Sequence, residues 1–277
     1  MNIKEFLPPI LIRLAKRAIG LGIGDSKKFE SYAKALQAST SDAYQNIELC
    51  NMIAEKTVIH LEKLNEKPFV LNQANALLLA VINQYLNSHS TKILNILDFG
   101  GACGAHYFEV RRFISDEVSL RWYVVETPQM VKSAMEKGLN NDELIFVDSI
   151  PDIKTGIDIV NSSCALNYVI DPYEILNMIV SVNADWMFFS RMFYNDSDND
   201  FITVQKSFLS SNGPGPLPKG YSDKLLSYPN TIISFNNFYS TITNFGYKAE
   251  WIFSETSDHN QTKSERFTEK NLLYVRK

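Results

Sequence analysis

The residues that promise chemistry lie in one short segment, Ile93-Leu94-Asn95-Ile96-Leu97-Asp98-Phe99-Gly100-Gly101-Ala102-Cys103-Gly104. An apolar run ends in an acid, Asp98. A loop of very small residues follows, and then a helix is expected from about Ala105. Small residues let a ligand lie against the backbone, while a helix start offers unpaired N–H groups and a positive dipole end. The segment should therefore receive something anionic or zwitterionic. Its spacing argues against a nicotinamide dinucleotide, whose fingerprint needs glycine at the first, third and sixth positions. Counting from Gly100 gives Gly100, Ala102 and Ala105; counting from Gly101 gives Gly101, Cys103 and His106. A nicotinamide-dependent oxidoreductase is disfavoured.

The order acid, x, Gly, x, small, x, Gly, carried by Asp98, Gly100, Ala102 and Gly104, resembles the first motif of class I S-adenosylmethionine-dependent methyltransferases. The resemblance implies that Asp98, Gly100, Gly101 and Gly104 shape a loop around the methionine part of S-adenosylmethionine. It also gives roles to residues further along. Trp122-Tyr123-Val124-Val125-Glu126 ends in an acid where the family places a carboxylate on both ribose hydroxyls, and an ionised carboxylate has two acceptor oxygens to meet a vicinal diol. The alternative for Glu126 is a solvated strand end. Asp148, followed by Ser149, matches the position that accepts from the adenine amino group, or else caps a turn before Pro151. The stretch Asp158 to Val169 resembles the fourth strand and its following helix, with Ser163 among the small polar residues beside the methyl group. A narrower resemblance, through Leu97 to Gly101 with Tyr107-Phe108, Asn167 to Val169 with Asp171-Pro172, and Phe201 to Gln205 after Arg191, is to methyltransferases encoded beside bacterial cell-surface polysaccharide genes. It implies a small polar acceptor, sugar-linked. Ala102 is the main departure from the general motif.

For a hydroxyl acceptor a general base is expected to help, and the candidates are His106 and Tyr168, with Arg191 as an orienting cation. Each has a plainer reading: His106 caps or packs on the first helix of the fold, and Tyr168 belongs to the core. His259 reads as a solvated loop residue, and His60 and His89 receive no role.

These residues need elements to hold them. Short apolar runs at Ile93–Phe99, Trp122–Glu126, Glu143–Val147, Ile157–Asn161 and Trp186–Ser190 are separated by helix-length stretches, which predicts a parallel sheet covered on both faces. Ser234 is placed to cap a helix over Phe235–Phe245, and two final strands, Lys248–Phe253 and Leu272–Arg276, flank a polar loop. The fold class expected is α/β: a Rossmann-like class I methyltransferase sheet, mostly parallel, of seven strands with the last reversed, beneath an N-terminal helical layer. Residues 1–90, with helices over Asp42–Leu64 and Asn72–Leu86, form that helical appendage, and residues 91–277 the cofactor-binding catalytic domain. The stretch after Ser190, with Gly213-Pro214-Gly215-Pro216, reads as a mobile loop. From about Asn195 to Tyr221 it is expected to cover the acceptor, or to be pinned by its aromatics to the N-terminal helices. A basic amphipathic helix from Pro8 to Leu21 either packs on protein or touches a membrane surface peripherally.

The 277 residues carry a net charge of −4, which argues against a duplex nucleic acid partner. Three cysteines without metal-ligand spacing predict neither disulfide nor metal, and a cytoplasmic location is expected.

Overall fold

The computed structural model describes residues 27–64, 69, 71–150, 156–255 and 267–277. The basic helix expected at Pro8–Leu21, and His259, lie outside the described residues. Strands β1 (Ile93–Phe99), β2 (Ser119–Val125), β3 (Leu144–Val147), β4 (Ile159–Ser163) and β5 (Trp186–Asn195) form a parallel sheet in the order β3-β2-β1-β4-β5. Two more strands, β6 (Phe201–Phe208) and β7 (Leu225–Ser234), pair as a hairpin along their whole length. Strand β9 (Phe267–Arg276) runs antiparallel beside β5, and β8 (Tyr247–Glu255) pairs outside β9. The sheet is Rossmann-like, with its final strand reversed.

The β6–β7 hairpin corrects the expectation of an irregular stretch after Ser190. Strand β5 runs on to Asn195, and β7 joins it in parallel at Tyr194↔Ile233 and Asn195↔Ser234. Proline and Gly-Pro pairs argue against strands because they lack donors. Here Gly213 to Pro218 fall between β6 and β7. Pro229 pairs with Val204 at a position where β7 has no β5 neighbour, so its missing N–H removes no ladder bond on that side.

The helices are α1 (Tyr32–Gln37), α2 (Ile47–Lys63), α3 (Gln73–His89), α4 (Ala105–Val110), α5 (Pro128–Glu136), α6 (Pro172–Ser181) and α7 (Phe235–Asn244). Asn46, Asn72, Thr127, Asp171 and Ser234 each accept a backbone N–H of the first turn of the helix they precede, the role such short polar residues play best. Helix α2 starts at Ile47 rather than Asp42, because Asn46 caps it and a 3-10 turn occupies Ala43–Gln45. One core packs α2 and α3 on Leu94, Ile96 and Trp122; a second packs α6 and α7 on Leu97, Met187 and Phe189.

Two polar devices lock the helical layer. Buried Glu109 of α4 receives His60 Nε2 at 2.9 Å, Asn75 Nδ2 at 2.6 Å and Asn72 Nδ2 at 3.3 Å, tying α4 to α2 and α3. Burial would raise its pKa, but the hydrogen bonds from His60 and Asn75 and the His60 charge hold it below the usual carboxylate range. Lys56 of α2, 0% exposed, donates to the carbonyls of Ser210 at 2.7 Å and Asn212 at 2.6 Å. The Gly-Pro segment is thus fastened to an N-terminal helix, and Tyr221 packs on the same core.

Burial lowers the Lys56 pKa to about 8, against an ordinary 10.5. Between these values the unfolded chain binds the proton that the folded chain has released, so this group's cost to stability is full below pH 8 and shrinks as pH rises. Denaturant unfolding at pH 7 and 9.5 should therefore show native stability rising relative to that of a Lys56→Met variant. A pH-independent difference would contradict the assignment.

Candidate functional site

At the carboxyl edge of the sheet the chain leaves β1 through Asp98, which is fully buried. Its carboxylate accepts Trp122 Nε1 from β2 at 3.1 Å, Asn161 Nδ2 from β4 at 2.7 Å and His106 Nδ1 from α4 at 3.0 Å. A Cβ on Gly101 would lie 2.5 Å from this carboxylate, so the glycine leaves room for the acid. Gly100, at φ +72°, donates its N–H to the Val125 carbonyl at 2.9 Å; a Cβ there would stand 2.2 Å from that of Ala165. Gly104, at φ +80°, is the N-cap of α4 and sits over Leu144. Ala102 adopts φ 50°, a left-handed conformation costing a non-glycine residue about 1–2 kcal/mol. Its N–H is thereby given to Glu126 Oε1 at 3.0 Å. Helix α4 has only six residues, so its dipole adds less to the loop than the sequence suggested.

Glu126 stands at the end of β2, half-buried, its Oε2 accepting the Thr127 N–H at 3.0 Å. Burial raises its pKa to about 7; the two N–H bonds oppose this, and the charge of Asp98 adds to it. A carboxylate has about four lone-pair sites. The two that the protein fills leave acceptor capacity on both oxygens. Asp148 follows β3 one strand over, exposed and without a hydrogen bond among the described residues, and Ser149 comes next.

The β4 and β5 ends carry a second polar group. The buried Ser163 hydroxyl oxygen meets Ser190 Oγ at 2.8 Å and Arg191 Nε at 2.9 Å. Tyr168 lies in the 3-10 turn Leu166–Tyr168, its hydroxyl donating to Gln205 Oε1 at 2.8 Å. Burial, and the nearby Cys164, hold the Tyr168 phenol well above its ordinary pKa, so it is a hydrogen-bond donor and not a base. The rings of Tyr168, Tyr228 and Tyr44 stand 5.6–6.4 Å apart in tilted and edge contacts. His106 keeps to Asp98 and Asn161. Facing the carboxylate oxygens, Nδ1 of the neutral ring is the hydrogen-bond donor and Nε2 its acceptor.

Gln205, within the stretch expected to cover the acceptor, meets Tyr168 here, and Tyr44 joins the site without having been read from the sequence. Tyr44 was hidden because the helix was expected from Asp42; the 3-10 turn instead brings it beside Glu126, with its carbonyl accepting from Thr127 Oγ1 at 2.8 Å. Among the described residues no cluster of His, Cys, Asp or Glu could hold a metal ion, and no helix is long and apolar enough to cross a membrane.

No protein-family model and no curated protein matches the chain. Among solved structures it is similar to an S-adenosylmethionine-dependent methyltransferase from Clostridium acetobutylicum, at 11% identity over 80% of this chain and 98% of that one, TM-score 0.47. A magnesium protoporphyrin IX methyltransferase from Synechocystis gives 11% over 83% and 97%, TM-score 0.47. An amino pentose methyltransferase from Micromonospora echinaspora gives 12% over 74% and 92%, TM-score 0.45. Such partial overlap assigns no activity and no residue role to this chain.

The loop geometry makes a testable demand. Gly100→Ala should destabilise the protein by about 2 kcal/mol or more, through overpacking against Ala165 added to backbone strain. Gly138→Ala, equally left-handed at φ +65° but with nothing within 4 Å, should cost only the strain. Equal losses in thermal unfolding would show that the Ala165 contact does not constrain the loop.

Proposed function

We propose that the protein is an S-adenosylmethionine-dependent methyltransferase whose acceptor is a small polar molecule of sugar type, in the synthesis of cell-surface polysaccharide. The observation that carries the cofactor reading is the coupled unit of glycine loop and Glu126. Its carboxylate stands at the end of the second strand of a parallel sheet, beside a small-residue turn, with acceptor capacity still open on both oxygens. Such sheets gather their ligands at that edge. The sugar reading rests on the narrower sequence resemblance and on the grouping of Tyr168 with Gln205, and of Arg191 with Ser163, near the β4 and β5 ends.

In this reading residues 91–277 carry the cofactor site and the helices within 1–90 cover it. Glu126 takes the ribose hydroxyls, Asp148 and Ser149 the adenine edge, and Gly100, Gly101 and Gly104, shaped by Asp98, the methionine part. S-adenosylmethionine would supply an electrophilic methyl on a sulfonium whose leaving group is neutral. The protein then has to align the acceptor and exclude water. Ser163 and Arg191 orient the acceptor, Tyr168 walls it, and His106 Nε2, with its tautomer fixed by Asp98, is the group able to take the hydroxyl proton.

Calorimetry with S-adenosylhomocysteine tests the cofactor reading. Binding should need the ionised Glu126, so with a pKa near 7 the affinity should rise about tenfold from pH 6 to pH 8 and then level. Glu126→Gln should bind at least about tenfold more weakly, the loss of hydrogen bonds to a charged group. It should also lose the pH dependence. Binding of a nicotinamide dinucleotide with none of S-adenosylhomocysteine would overturn the proposal. For the acceptor, the native enzyme should release S-adenosylhomocysteine with nucleotide sugars or lipid-linked glycans; turnover confined to protein or tRNA would contradict the sugar reading.

A further inference from the structure

The polar group at the β4 and β5 ends includes an exposed cation. Arg191 is exposed at the end of the β4–β5 pairing and, among the described residues, forms no ion pair with a carboxylate. Its placement is built. The register of β5 against β9 shifts between Phe189 and Met192, and at this bulge Arg191 holds φ 56°. Strained residues of this kind persist only where their surroundings over-determine them. Here buried Asn271 accepts the Arg191 N–H at 2.9 Å and buried Ser163 accepts Nε–H at 2.9 Å. The Ser163 contact fixes one edge of the guanidinium, and its terminal nitrogens have no partner among the described residues.

What surrounds that fork is polar and aromatic. Burial raises the pKa of the Tyr44 phenol and of the Cys164 thiol; the Arg191 charge opposes this at both, and buried Glu269 adds to it at Cys164. The Tyr44 hydroxyl makes no hydrogen bond to a described residue, and Glu126 acts on the same phenol from the cofactor side. The Tyr44 carbonyl accepts from Thr127 Oγ1 at 2.8 Å, next to Glu126, and its ring meets Tyr168, whose hydroxyl lies 3.7 Å from Cys164 Sγ, the residue after Ser163. The hydroxyls of Tyr168 and Tyr228 are instead tied to Gln205 and Ser207, at 2.8 Å each, which leaves their rings as walls. A planar guanidinium with its two terminal nitrogens free suits a carboxylate or phosphate, and its permanent charge repels an ammonium.

We propose that the acceptor is an anionic sugar. Its carboxylate or phosphate pairs with the terminal nitrogens of Arg191, and the Tyr44 hydroxyl donates to a neighbouring sugar oxygen. This rests on the methyltransferase reading and gives its acceptor a chemical class.

The test is titration of glucuronate, glucose 6-phosphate and neutral glucose into the protein saturated with S-adenosylhomocysteine. At least one anionic sugar should bind about tenfold or more tightly than glucose, and which one does so separates carboxylate from phosphate. Arg191→Gln should abolish the preference, Arg191→Lys should keep part of it, and Tyr44→Phe should weaken it severalfold. All three variants should melt cooperatively and keep S-adenosylhomocysteine affinity within about twofold of native. No sugar binding, equal binding of the three sugars, or an undiminished preference in Arg191→Gln would overturn the proposal. So would a loss of S-adenosylhomocysteine binding in that variant, which would assign Arg191 to the cofactor's own carboxylate. Failure of the native protein to bind S-adenosylhomocysteine would sink the methyltransferase reading instead; Arg191-dependent preference for the anionic sugars in the ligand-free protein would still uphold the anion site.

Discussion

The Asp98 carboxylate is the constraint from which the rest of the site follows. Removing an ionised carboxylate from water costs several kcal/mol unless its lone pairs are filled. Here donors from β2, β4 and α4 converge on it, so one buried charge fixes the spacing of three neighbouring elements. It also dictates the loop, since Gly101 has no space for a side chain beside the acid. And it selects the His106 tautomer, which leaves Nε2 as the ring's acceptor. A glycine-rich turn in this chain is therefore first a packing necessity around an acid and the 3-10 turn, and only through that a surface for a ligand.

The second consequence is an electrostatic gradient along the sheet edge. On one side Glu126, held near neutrality by burial, leans on the N–H groups of Ala102 and Thr127. On the other, Arg191 keeps its charge toward solvent, with Ser163 and Asn271 holding it. Tyr44, whose carbonyl accepts from Thr127 Oγ1 at 2.8 Å, is carried by a segment that the helical layer and β7 hold in place. Ser227 accepts the backbone N–H groups of Thr40 and Ser41, and the Tyr32 hydroxyl donates to the Tyr168 carbonyl at 2.7 Å. The N-terminal residues thus pack against β7 and the 3-10 turn that carries Tyr168.

How much of this could be read from the sequence depended on locality. Strand β1 came out at its observed bounds, and Asn72, Ser234 and the reversed C-terminal pair were legible because caps, glycine stops and continuous apolar runs are local signals. The β6–β7 hairpin was not, since Thr203, Gln205 and Ser207 put a polar face inward and Pro229 reads as a breaker unless its missing β5 neighbour is known. Lys56 and Asn167 were illegible for another reason: each is a buried polar side chain whose partners lie far off in the chain. Asn167, 0% exposed, bonds the carbonyls of Phe193 and Thr231 and so laces its turn to β5 and β7. Arg191, expected to end the fifth strand, sits at a bulge within β5, which runs on to Asn195, whereas Asp98 and Glu126 could be named from their places at strand ends. Tyr44 could not, because its place depends on where α2 begins.

The most direct test of this account is a crystal structure of the protein with S-adenosylhomocysteine. Both ribose hydroxyls should lie within hydrogen-bond distance of the Glu126 carboxylate, with the Ala102 and Thr127 N–H bonds retained and the homocysteine part running along Gly100 to Gly104 toward Ser163. Ligand bound away from Glu126, or a glycine loop that must unfold from Asp98 to admit it, would contradict the account.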